Sequence, residues 1–64
     1  MNEVTELQTM MGKLALALET GVEDLAKFEA GNMSAGTRVR KAMQDIKSLA
    51  QDVRVEVQAI KNNK

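Results

Sequence analysis

Sixty-four residues with no cysteine, no histidine, no proline and one aromatic side chain, Phe28, make at most one small domain, lacking disulfides and the usual soft metal ligands. Nine bases and nine acids cancel, yet residues 1–32 carry six acids against two bases (−4) and residues 33–64 seven bases against three acids (+4). Glu3 and Glu6 stand where a secretory leader would carry lysines, and the longest apolar run, residues 14–18, is far short of the ~20 residues a membrane span needs. A soluble cytoplasmic protein is the expectation.

The first half carries Val4, Leu7, Met11, Leu14, Leu18, Gly21, Leu25 and Phe28 in alternating steps of three and four. That is a heptad seam, and it predicts a helix over residues 2–30. Met10, Ala15, Ala17 and Val22 widen the seam. Gly31 and Asn32 both tolerate positive φ and are expected to stop this helix, with a turn over residues 31–33 and Ser34 as the N-cap of the next element. Val39, Ala42, Ile46, Leu49, Val53, Val57 and Ile60 then repeat the same rhythm, with Met43 and Ala50 on the flank, predicting a second helix over residues 34–61. Asn62, Asn63 and Lys64 are expected to fray.

So short a connection makes the helices antiparallel neighbours, and the fold class is all-α: a single-domain, two-helix hairpin. Folding the seam about Met33 pairs Phe28 with Val39, Leu25 with Ala42, Gly21 with Ile46, Leu18 with Leu49 and Leu14 with Val53. Gly21 then becomes a notch for Ile46. Met10, Ala17, Val22, Met43, Ala50 and Val57 would stay wet in a monomer, so a homodimer forming a four-helix bundle is expected.

Arg38, Arg40 and Lys41 crowd the start of the second helix, where each cation opposes the macrodipole by a few tenths to ~1 kcal/mol. Such a conflict calls for a compensating partner or a function. Arg40, Lys47, Arg54 and Lys61 recur every seven residues, forming a column on the outer face with neighbours ~10 Å apart. Arg38 and Lys41 are expected to broaden its N-terminal end. Such a row can follow a phosphate backbone, with the free N–H groups of the helix start as an added anion site. The competing reading is a solvated face. Asp45 and Asp52 would interrupt the basic row, while Glu23, Asp24 and Glu29 would cancel Arg38 and Lys41 in exposed pairs worth little each.

Other chemistry finds little support. Glu19, Glu23 and Asp24 lack a histidine or cysteine partner for a transition metal, and the five methionines read as core filler. There is no phosphate-binding glycine loop and no nucleophile–base pair. No enzyme activity, cofactor, metal or small-molecule substrate is expected.

Gly31-Asn32, Ala35 and Thr37-Arg38-Val39-Arg40-Lys41, with Asp24-Leu25-Ala26-Lys27 before them and Leu49 and Arg54 after, resemble the bacterial linker-histone-like family of chlamydial-type nucleoid proteins. The resemblance covers residues 22–58, and this chain resembles a short member without the lysine- and alanine-rich tail of longer relatives. It implies a nucleoid-associated protein that binds double-stranded DNA with little sequence preference, through Arg38, Arg40, Lys41 and Arg54. Lys47 and Lys61 join that set from the column spacing alone. Two other readings of the residues stay open: a dimer binding RNA hairpins in the manner of Rop, and a structural or adaptor module with no nucleic-acid role. Without tryptophan or tyrosine there is no stacking platform for single strands.

Overall fold

Two helices, α1 (Glu3–Glu29) and α2 (Met33–Asn62), fold back on each other as a hairpin 50 × 16 × 12 Å across. The structure, a computed structural model, describes residues 3–63 and the side chains of residues 6–63. The expected start at Asn2, the Val4 side chain and the fraying expected at Lys64 lie outside the described residues, while Asn62, also expected to fray, is the last residue of α2 and Asn63 is its C-cap. The all-helical hairpin expected from the two heptad rhythms is what forms.

The turn follows from Gly31. Its φ of +109° is open to glycine at little cost, and it lets α1 end in a Schellman arrangement. The Asn32 N–H donates to the Lys27 carbonyl and the Gly31 N–H to the Phe28 carbonyl, both at 3.0 Å. Asn32 is already extended (φ −83°, ψ 97°) and is itself the N-cap of α2. Ser34 is therefore the second residue of the helix and not its cap. Its hydroxyl instead donates to the Asn32 side-chain oxygen at 2.8 Å, and the Ala35 N–H donates to the Asn32 carbonyl at 3.1 Å.

Starting α2 at Met33 moves the fold axis of the hairpin. A Cβ placed on Gly21 would lie 3.3 Å from Met43 Cε and 3.4 Å from Ala42 Cβ, and one on Gly36 would lie 2.9 Å from two atoms of the Phe28 ring. Gly21 thus receives Ala42 and Met43 and not Ile46, and Phe28 lies on Gly36 and not on Val39. These pairs centre on residues 31–32. Shifting the axis by one to two residues moves every partner by two to four, nearly a full turn.

The inner seam changes phase as well. On α1 the residues turned toward α2 are Leu7, Met10, Leu14, Ala17, Gly21, Asp24 and, though part-exposed, Phe28 on Gly36, while Met11, Leu18 and Leu25, expected inside, are exposed. On α2, Val39, Ala42, Ile46, Leu49, Val53 and Ile60 face inward as expected and Ala35 joins them, while Val57, expected in the seam, is exposed. The apolar arc of α1 is broader than one contact, and the part that faces α2 is the part carrying Ala17 and Gly21. Small side chains there, set against Ala35 and Ala42, let the two backbones approach closely. Met11, Leu18, Val22 and Leu25 are left on one flank, and Leu16 on the other. Among the described residues no large side chain is fully buried.

Candidate nucleic-acid interface

α2 is continuous across the whole basic column, so Arg40, Lys47, Arg54 and Lys61 all project from one unbroken helix, and all four are exposed. Twenty-one residues separate the first from the last, about 30 Å at 1.5 Å per residue. The acids that looked as if they interrupt this face do not lie on it. Asp45, Asp52 and Glu56 each stand two residues from a column cation, and so about 160° around the helix from it. Gln44, Gln51 and Gln58 fill the intervening positions, four residues beyond each of Arg40, Lys47 and Arg54. The outer face of α2 is thus a ladder of cations and amides, free of carboxylates. The same sevenfold spacing that exposes the cations also marks the glutamines, which an inspection of charge alone passes over.

Arg38 and Lys41 behave differently. Arg38 lies two residues from Arg40 and points to the other side of α2, where its Nε donates to Asp24 Oδ1 at 3.0 Å. Asp24 sits on the inner seam of α1, only 5% exposed, and a carboxylate removed from water must be paired or hydrogen-bonded. The Arg38 side chain is 48% exposed, so its outer guanidinium nitrogens still reach water. Lys41 pairs within its own helix, Nζ to Asp45 Oδ2 at 3.7 Å, both side chains largely exposed. These two cations do not broaden the end of the column. They line, with Lys13 of α1 and the two aspartates, an open groove of about 600 Å³ floored by Ala17, Ala42 and Leu49.

Arg38 is the sixth residue of α2, beyond the first turn in which the macrodipole acts strongly. The conflict read from the sequence is therefore mild, and for Arg38 it is compensated by Asp24. Among the described residues the ion pairs are Arg38–Asp24 and Lys41–Asp45, and none of the four column cations takes part in them. Also among the described residues, no group of three or more acids could hold a metal ion, and no helix is long and apolar enough to cross a membrane.

A family model described as Histone H1-like protein Hc1 matches residues 1–63. No curated protein and no solved structure matches the chain.

Proposed function

This chain belongs to the histone H1-like Hc1 family, and from that premise we propose that it binds double-stranded DNA in the nucleoid through the outer face of α2. The observation that carries the reading is the sorting of charge on that helix. Arg40, Lys47, Arg54 and Lys61 stand on one side with three glutamines, and the three acids of α2 stand on the other. Cations about 10 Å apart along a rod match phosphates, and glutamine amides add donors to the same oxygens. Nothing in this ladder distinguishes one base pair from another, so recognition is by charge and shape. Arg38 and Lys41 contribute from the side, Arg38 while still bound to Asp24.

The working unit in this reading is a homodimer forming a four-helix bundle. The support is the flank left bare by the hairpin: Met11, Leu18, Val22, Leu25, Met43 and Val57 are between 41% and 59% exposed, more apolar surface than a lone hairpin of this size commonly leaves wet.

The test is fluorescence anisotropy of labelled duplex DNA at several salt concentrations, for the wild type and for an Arg40→Gln, Lys47→Gln, Arg54→Gln variant, with hairpin RNA in parallel. Wild-type affinity should fall steeply with salt. The triple variant should bind all duplexes more weakly, with a flatter slope. An unchanged slope refutes the face, and a clear preference for hairpin RNA replaces DNA with RNA as the ligand.

A further inference from the structure

The bare flank also says how a second copy would sit on it. Met43 reaches across Gly21, which places it beside Leu18, Val22 and Leu25, while Ala17 and Asp24 on the other side of Gly21 line the groove. Met11, Leu18, Val22, Leu25, Met43 and Val57 therefore share one broad side of the hairpin, opposite the groove, whereas Leu16, also exposed, lines the groove itself. That side is bounded by the hairpin's two longest extents, 50 and 16 Å, so a second hairpin of the same dimensions can lie along its whole length.

Its two long edges differ in sign. Along α1 the apolar strip is bordered by Glu19 and ends in Glu29, seven residues after Val22, and it meets no base, because Lys13 lines the groove and Lys27, fourteen residues on, shares its side. Beyond the strip on α2 stand the column cations, and no acid. Two hairpins can pack these sides together in two symmetric ways. With turns at opposite ends, α1 lies on the second α1 and α2 on the second α2, so basic edge meets basic edge and acidic meets acidic. With turns at the same end, each α1 lies along the second copy's α2.

We propose that the homodimer packs its two apolar sides with both turns at the same end, the acidic edge of each α1 against the basic edge of the other α2. Hairpin pairs centre on residues 31–32, so Glu19 stands level with residue 44 and falls between Arg40 and Lys47 of the second copy, within about one turn of each. Both pairs occur twice by symmetry. Val22 and Leu18 come level with Met43 of the second copy, and Leu25 with its Val39. The two basic columns then occupy diagonal corners of the bundle and face away from each other. One dimer can touch two duplexes at once.

This inference rests on the dimer of the proposed function, and two measurements separate its failure from the dimer's. The chain has no cysteine, so an Ala30→Cys variant carries one nitroxide at the exposed turn, and pulsed electron resonance reads the distance between copies. Same-end packing gives a short distance, about two helix layers of ~10 Å each. A distance near 50 Å, the length of the hairpin, overturns the proposal and keeps the dimer. Sedimentation equilibrium without DNA supplies the second reading, with circular dichroism confirming that each variant is helical. Lys47→Glu should raise the dimer Kd about fivefold or more, and adding Glu19→Lys should restore it. Tightening by Lys47→Glu overturns the arrangement, because it would mean that cation faces cation. A wild type that stays monomeric at every concentration overturns both the dimer and its geometry, while the DNA titration still judges the column.

Discussion

Removing Arg38 should unfold the hairpin more readily than removing Asp24, although both substitutions delete the same ion pair. In Arg38→Ala the Asp24 carboxylate, with a side chain only 8% exposed, loses its cation and stays on the inner seam. Stripping one partner from a fully buried pair costs about 3–5 kcal/mol. Here the guanidinium side of the pair is half open to water, which screens the orphaned charge, so about 1–2 kcal/mol is the reasonable scale. In Asp24→Ala the freed arginine simply swings into solvent, and the loss should stay below about 1 kcal/mol. For a chain of this size each kcal/mol moves Tm by about 4–8 °C. Thermal melts followed by circular dichroism at 222 nm, at one fixed protein concentration, therefore resolve the two. Equal melting points, or a milder effect of Arg38→Ala, would refute the claim that Asp24 depends on Arg38. The result also bears on DNA binding. Measured well below its Tm, Arg38→Ala should weaken duplex binding less than Arg54→Gln does.

Three further outcomes follow from the glycines and the column. Gly12 has nothing within 4 Å of an added Cβ, so Gly12→Ala should stabilise by about 0.5–1 kcal/mol, whereas Gly31→Ala, at φ +109°, should lose about 1 kcal/mol or more in the same melts. Gly36→Ala drives a methyl group to 2.9 Å from the Phe28 ring and should lower Tm. In a Phe28→Ala background the same change should raise it, because only the helix-propensity gain of about 1 kcal/mol remains. An unchanged sign there would mean that the ring does not rest on Gly36. Each single Arg or Lys to Gln change at positions 40, 47 and 54 should flatten the logarithmic salt slope for duplex DNA by about one unit, read from anisotropy titrations at four or more salt concentrations.

The helices and their antiparallel order were legible because two heptad rhythms flank a glycine able to take a positive φ. The phase of the seam was not. Counting large apolar residues favours Met11, Leu18 and Leu25 for the interior, yet the distance of closest approach between two backbones is set by the smallest side chains. Ala17 and Gly21 therefore decide which arc of α1 faces α2. The cap is ambiguous in the sequence for a related reason. Asn32 and Ser34 are both good N-cap residues, and only the closing hydrogen bonds of α1, which fix Gly31 and Asn32 together, choose between them. Within the candidate site, the seven-residue recurrence of Arg40, Lys47, Arg54 and Lys61 could be read directly. The sorting of Asp45, Asp52 and Glu56 away from it needed only the helical angle, which a linear reading of alternating charge obscures. Arg38 and Asp24 could be guessed to lie near each other, but that Asp24 is buried follows from the seam phase and was out of reach with it.

Burial in this hairpin is uneven along its length. Among the described residues the buried positions are Gly21, Asp24, Ala35 and Ala42, all within about eleven residues of the turn, while the rows toward the free ends are at most half-buried. Opening should therefore begin at the free ends and run toward the turn, like a zipper. Amide hydrogen exchange in the monomer would rise steadily from residues 21–42 out to Leu7 and Ile60. Anything that covers the whole broad side, a second copy included, would flatten that gradient, slowing exchange most at the distal rows where the single hairpin holds itself least.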